Sequence, residues 1–479
     1  MLLKKIRGYI SSFTIEQKVF AISLLYSSML FIIPSNRIFL LVSLFFVIGL
    51  YFIWKNLIYS ILYAYIFLLP FQNGKGISFL VVPGAYVYGN MPFIMTVNFT
   101  MSFILSVFLL YLHYRNKIIG INMYYPKIER ADLFLGLFLI SNIFASINAQ
   151  IPWLSFLLSV QIVSYIFIYY VIHQSYIKKW LFTIIAPLFT SLGLLEGLWS
   201  ILQYVNKGSL GYLNPTPADT IIHSASEDAS FFRMQGTFSH PNFLGFFVAF
   251  VAPFLFYYSI SQYSSYFRKI ICVCGFIASM IALILSGSRA SWIVLLITFV
   301  VLHRSKIVKN AMEIIPVVKQ IYISSLLICC ITIPFIVIPR LSQLSITFDS
   351  NGGAQFRIDL ILKSILITTQ NPFGIGLGMF PKVLLQEIGG FTSAPTQPHN
   401  VVIQILVSSG FIGVISFLGF LYLKIRSIYE NTIIRTEEKT IRFVGVVSFC
   451  TYLSLSMLYP ILTEQQIFAW FWILLSIIV

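Results

Sequence analysis

Three stretches of this sequence set arginine or histidine among small, hydroxyl or amide side chains directly before an apolar run. The first runs Arg233-Met234-Gln235-Gly236-Thr237-Phe238-Ser239-His240-Pro241-Asn242. The second is Ser286-Gly287-Ser288-Arg289-Ala290-Ser291-Trp292, and the third is Pro398-His399-Asn400, followed by Gln404, Gly410 and Gly413. If each apolar run is a helix, each stretch lies at a helix N-terminus, where free N–H groups and the helix dipole favour an anion. Ser239, or Asn242 after the proline, is placed to cap the first helix. Arginine binds phosphate oxygens as a two-pronged donor. Histidine is the side chain whose ordinary pKa suits proton transfer near neutrality. Such a set could hold a phosphate-bearing molecule and move one proton. Each member also has a plainer reading: an arginine that anchors lipid headgroups, and a histidine that caps a helix.

The elements that must carry these residues are spans of a membrane. Apolar runs occur near 18–33, 37–54, 56–71, 92–112, 131–148, 154–172, 180–205, 241–261, 268–286, 290–303, 320–338, 400–423, 441–459 and 464–479. Several fall short of the roughly 17 residues that a perpendicular span prefers, so one or two are expected to be half-helices. With a cytoplasmic N-terminus and every run crossing, 22 of the 31 Lys and Arg residues fall inside and nine outside. The positive-inside rule predicts this alternation, with both termini cytoplasmic. The nine outside are Arg37, Lys75, Lys207, Arg233, Arg289, Arg340, Arg357, Lys363 and Lys382. Most lie in the 206–240 loop, in the turn before 290–303, or in the 339–399 loop. Loops of such length usually carry function. Within the last, 354–370 reads as an amphipathic helix along the outer surface, with Phe356, Leu360, Ile361 and Leu366 apolar.

Composition agrees. Of 479 residues, 58% are hydrophobic and 10% charged, and mean hydropathy is +0.89. A soluble domain carries about 25% charged residues, so the chain reads as one integral membrane domain. The net charge of +16 is spread between apolar runs and marks topology, not a nucleic-acid partner. Cys272, Cys274, Cys329, Cys330 and Cys450 all lie in apolar runs and imply neither disulfides nor zinc. The N-terminal run follows Lys4, Lys5 and Arg7 without a small-residue cleavage site, so it is expected to be retained. Neither Asp-x-Asp nor His-Glu-x-x-His occurs, which disfavours a metal-dependent sugar-nucleotide transferase or a zinc protease. Gly374-x-Gly376-x-Gly378 follows no strand of a βαβ unit and reads as a turn. Glu196 is the acidic residue deep in a span; it is either functional or a hydrogen-bonded packing residue beside Gly193 and Gly197.

Taken together, these motifs resemble the O-antigen ligase and O-antigen polymerase superfamily of bacterial membrane glycosyltransferases. The resemblance rests on Arg233-x-x-Gly236-Thr237-Phe238-x-x-Pro241-Asn242, on Ser288-Arg289-Ala290, and on His399-Asn400 with Gln404, Gly410 and Gly413. Arg357 and Asn371-Pro372-Phe373-Gly374-x-Gly376-x-Gly378 add the look of the family's large external loop. It covers roughly 230–420 directly. The resemblance implies an all-α, GT-C-like bundle of about 12–14 transmembrane helices that works without metal or nucleotide cofactor. The donor it implies is a glycan on undecaprenyl pyrophosphate, and the acceptor a glycan hydroxyl. His399 matches the base, Arg233 and Arg289 match the pyrophosphate clamps, and Arg357 is a further candidate for the same anion. Partners would include membrane lipids and other polysaccharide-assembly proteins of the cytoplasmic membrane.

Abundant Ile, Phe, Tyr, Lys and Asn suggest an AT-rich, Gram-positive source, where no lipopolysaccharide core exists to be ligated. That favours a surface-polysaccharide polymerase, similar to the teichuronic acid polymerases, over a ligase. A transporter or flippase of lipid-linked sugars is the rival class, and it would show inverted repeats, broken helices and midplane charges. The topology is testable directly. Cysteine introduced at Ser226 or Ser393 should react with a membrane-impermeant reagent in intact cells. Labelling of either site only after lysis would reverse the assignment.

Overall fold

The computed structural model describes residues 13–31, 36–71, 86–88, 91–92, 107–108, 111, 129–173, 175–207, 210, 233–238, 240–261, 264–305, 353–388, 397–430, 437–462 and 464–479. The helices within them are α1 (Ile15–Leu30), α2 (Asn36–Trp54), α3 (Leu57–Leu68), α4 (Arg130–Ile147), α5 (Pro152–His173), α6 (Ser175–Asn206) and α7 (Pro241–Ile260). They continue as α8 (Tyr266–Ser286), α9 (Arg289–Arg304), α10 (Gly353–Gln370), α11 (Phe380–Ile388), α12 (Val401–Glu430), α13 (Glu437–Ser456) and α14 (Gln465–Ile478). A short antiparallel ribbon, Tyr86–Tyr88 with Met91–Pro92, is the one β element among the described residues. The chain is an all-α, polytopic helical membrane protein. Among the described residues, six helices are long and apolar enough to cross a membrane: α4, α5, most of α6, α7, α8 and most of α12. The expected runs at 92–112 and 320–338 lie outside the described residues, apart from Val107, Phe108 and Tyr111.

Helix α7 is apolar on all sides (PNFLGFFVAFVAPFLFYYSI), and such a helix belongs in the centre of a bundle. Every residue from Phe243 to Ile260 is buried, with α6, α8, α9 and α13 packed around it. Helices α6 and α8 approach through small residues: a Cβ on Gly197 would fall 2.6 Å from the Ala278 carbonyl oxygen. Such contacts let backbones touch where no hydrophobic force separates protein from lipid. On the periphery, α2 exposes Leu41, Leu44, Phe45, Ile48 and Phe52, and α4 exposes Leu133, Leu137, Ile140, Phe144 and Ile147. These stripes follow helical periodicity and suit acyl chains.

The 353–388 part of the expected external loop is built into the bundle. Helix α10 packs on α12 through Leu360, Ser364, Ile367 and Thr368. This corrects the expected apolar face: Leu366 is 56% exposed, because six residues beyond Leu360 turn it away from that face. After α10, residues 371–376 lie against a break in α12. Gly410 adopts φ +71°, and the helical hydrogen bonds lost there are replaced from the strap. Ile375 and Gly376 donate to the carbonyls of Val407 and Ser408 at 2.9 and 3.0 Å, and Phe411 donates to Pro372 at 3.1 Å. The glycine-rich stretch, expected to be a turn, is thus a strap that completes a broken helix, as non-helical backbone among spans requires. A Cβ at Gly410 would sit 2.2 Å from the Pro372 oxygen. Gly410→Ala should therefore destabilise by at least the ~1–3 kcal/mol of a strained backbone. Gly136→Ala, which meets nothing within 4 Å, should be neutral. Thermal unfolding of both purified variants checks this.

Candidate functional site

Helices α7, α9 and α12 begin at the same end of the bundle, and a few hydrogen bonds hold their first turns together. The segment entering α7 is fastened to the end of α8. The Arg233 Nε donates to the Ser286 carbonyl at 2.8 Å and its Nη2 to Asn242 Oδ1 at 2.6 Å, while the Met234 amide donates to Leu285 at 2.9 Å. Arg233 is nearly buried, at 8% exposure, with its charge at a helix C-terminus, where the dipole favours a cation. The cap of α7 is neither Ser239, which lies outside the described residues, nor Asn242. It is His240, whose Nδ1 accepts the Asn242 backbone N–H at 3.0 Å. With Pro241 at the first helical position, Asn242 comes too late to cap and turns its side chain to Arg233 instead. Because Nδ1 accepts, the neutral His240 ring carries its proton on Nε2.

The α8–α9 turn passes beside α7. Gly287 ends α8 in the left-handed region, and Ser288 precedes Arg289, the first residue of α9. Ser288 Oγ lies 2.8 Å from Ser291 Oγ and 3.0 Å from the Tyr459 hydroxyl. Arg289 is half-buried, and among the described residues it has neither hydrogen bond nor ion pair. The turn that holds Tyr459 also holds α12. Asn400 caps α12 by accepting from Val402 and Ile403 at 2.9 and 3.2 Å, and its Nδ2 donates to the Met457 carbonyl at 3.3 Å. Gln404 Oε1 accepts the Leu462 amide at 3.0 Å. Residues 457–462 thus tie the start of α9 to the start of α12, and His399 stands immediately before the latter.

The electrostatics follow from this packing. Burial lowers the His240 pKa to about 4, helped by Arg233 and His399. Burial lowers that of His399 to about 4 as well, helped by Arg357. His399 Nδ1 is enclosed and has no hydrogen-bond partner among the described residues. The fold therefore gathers Arg233, Arg289 and His399 at one end with His240 among them, and sets the exposed Arg357 at the edge beside His399. The ion pairs Arg268–Glu16, Lys424–Glu129, Lys424–Asp132 and Arg442–Glu438 sit at the opposite helix ends. One end carries these ion pairs amid an excess of basic residues. The other gathers guanidinium groups and uncharged imidazoles, which can receive an anion and accept a proton.

Part of the chain matches the O-antigen ligase family. The match spans residues 274–418, from the middle of α8 to the middle of α12. It takes in Arg289, Arg357 and His399, while Arg233 and His240 precede it. No curated protein matches the chain. The match supports O-antigen ligase-type glycan transfer and covers less than a third of the chain.

Sequence reasoning missed His240 as the cap, although it stands in the motif itself. It also missed Gln203, whose side chain pairs twice with Gly236, accepting its N–H at 3.0 Å and donating to its carbonyl at 2.8 Å. A signal existed: Gln203 and Glu196 are seven residues apart on an otherwise apolar stretch, which puts them on one face of α6. A lowered histidine pKa keeps each ring neutral to lower pH, so the charged form should appear only near pH 4. Nitrogen-15 NMR of labelled histidines should find both site rings neutral at pH 5.5. Titration of either near 6.5 in the free protein would contradict the described burial.

Proposed function

We propose that this chain polymerises lipid-linked repeat units into a cell-surface polysaccharide on the outer face of the cytoplasmic membrane. The reading is supported by Arg233, Arg289, a neutral imidazole and three helix N-termini all lying at one end of the bundle. A glycan on undecaprenyl pyrophosphate would lie with its pyrophosphate between Arg233 and Arg289. The acceptor hydroxyl oxygen bonds to the anomeric carbon, and the bond to the pyrophosphate oxygen breaks with its electron pair on the leaving group. His399 accepts the hydroxyl proton, and the arginines take up the growing negative charge. Arg357, exposed beside His399, would meet the same anion from the edge.

Burial leaves His399 uncharged at neutral pH, so it is free to accept a proton. A pKa of about 4 makes it a weak base in the free protein. An adjoining pyrophosphate would raise that value toward the working pH, where proton transfer is most effective. The outward orientation is supported by the excess of basic residues on the other side. Polymerase is preferred to ligase on the composition of the chain.

The break at Gly410 is the feature that favours a transporter. In transporters, unwound backbone coordinates the cargo. Here residues 372–376 occupy the freed groups of Val407, Ser408 and Phe411, which favours transfer chemistry over transport.

Purified protein given a lipid-pyrophosphate-linked oligosaccharide should yield a ladder of lengthening products. A single transferred product would indicate a ligase. His399→Ala should lower turnover by about 10²–10⁴-fold, and His399→Gln should fare little better because the amide accepts no proton. Near-normal turnover of the Gln variant would sink the base assignment. Arg289→Lys keeps the charge but loses the two-pronged geometry, so it should lose most activity at unchanged thermal stability. Wild-type activity in that variant would reduce Arg289 to a headgroup anchor.

A further inference from the structure

Glu196 is fully buried on α6, ten residues before the end of that helix, and no part of the proposed transfer chemistry uses it. It grips the segment that carries Arg233 and His240. Its Oε2 accepts the Thr237 amide at 3.0 Å, and its Oε1 is hydrogen-bonded to the Thr237 hydroxyl. A Cβ on Gly236, which has φ +62°, would fall 2.1 Å from Oε2. With Gln203 bonded to both polar groups of Gly236, α6 therefore holds the segment at two consecutive residues, two helical turns apart on one face.

The protons in this contact can be counted. Thr237 Oγ1 also lies 3.1 Å from the Pro70 carbonyl, which can only accept, and which accepts from Gln466 Nε2 at 2.7 Å as well. A hydroxyl has one proton to give. If Thr237 gives it to Pro70, the bond between Thr237 and Glu196 needs a proton from the carboxyl. If Thr237 gives it to Glu196, two oxygen atoms face each other at 3.1 Å with no hydrogen between them. An ionised carboxylate would also be fully enclosed, with no ion pair among the described residues, and uncompensated burial of a charge is strongly unfavourable. The protonated form satisfies every contact.

We propose that Glu196 is held as a neutral carboxylic acid and acts as a positioning residue. It donates to Thr237, accepts from the Thr237 amide, and sets the register of the segment that presents Arg233 and His240. The positioning part rests on the reading of Arg233 as a pyrophosphate ligand; the protonation part does not. Glutamine has the same donor and acceptor at the same reach, so Glu196→Gln should reproduce the clamp, whereas Glu196→Ala should remove it.

The test uses purified full-length protein at pH 7. The infrared difference spectrum of wild type minus Glu196→Gln should contain the carbonyl stretch of a protonated carboxylic acid, shifting on deuteration. A difference confined to carboxylate bands would overturn the neutral state. Undecaprenyl pyrophosphate serves as the binding probe. Glu196→Ala should weaken its binding by about tenfold or more, the scale of one buried hydrogen bond to a charged or enclosed group, and Glu196→Gln should restore it. Should the alanine variant not fold, Thr237→Val removes the same link from the other side and should show the same loss. Wild-type affinity in Thr237→Val, or a glutamine variant as impaired as alanine, would overturn the positioning role. If wild-type protein itself fails to bind the probe, the donor reading falls. The infrared band and the relative melting of the glutamine and alanine variants then still decide whether a neutral acid clamps the segment.

Discussion

Backbone that leaves the helical state among apolar helices must find all its hydrogen bonds inside the protein, because acyl chains offer none. Three departures from helix meet this constraint, and the candidate site is built from them. At Gly410 the 371–376 strap supplies the partners. Ahead of α7, Gln203 and Glu196 hold Gly236 and Thr237. Between α13 and α14, Asn400 and Gln404 satisfy Met457 and Leu462. Each polar side chain that rescues backbone in this way also fixes a chemically capable neighbour: Arg233 and His240 in the second case, His399 in the third.

The same packing separates the charges. At one end of the bundle the carboxylates of Glu16, Glu129, Asp132 and Glu438 neutralise Arg268, Lys424 and Arg442. At the other, burial keeps His240 and His399 uncharged beside arginines. Such a site, with one guanidinium fixed by hydrogen bonds and neutral imidazoles beside it, would suit a ligand that brings its own negative charge. The arrival of that charge would strengthen the arginine contacts and raise the basicity of the histidines together. Both responses have a single electrostatic origin, so binding and proton acceptance are linked without any moving part.

Much of this was legible in the sequence. The runs at 131–148, 154–172, 241–261 and 268–286 became helices within a few residues of the expected bounds, because apolar length is a strong constraint in lipid. Arg289 and His399 were recognisable as residues at helix starts, and they stand there, whereas Arg233 lies against the C-terminal end of α8. The amphipathic face of α10 was misjudged. Polar Ser364 and Thr368 pack inward by returning their hydroxyls to their own helix backbone, while apolar Ile358 and Leu362 face outward. In a membrane protein, apolarity no longer distinguishes the buried face from the exposed one.

By itself the sequence determined that the chain is a polytopic helical membrane protein, where most of its helices begin, and that Arg289 and His399 lie at two of those beginnings. These properties depend on neighbours along the chain and on average hydropathy. Only the tertiary structure decided that His240 caps α7, that Asn242 turns to Arg233, that Tyr459 joins the α9 start to the α12 start, and that Glu196 clamps Thr237. Each of these is a contact between residues distant in sequence or a choice between competing partners. Hydrogen-bond direction and burial settle such choices, and neither is encoded by residue type or spacing.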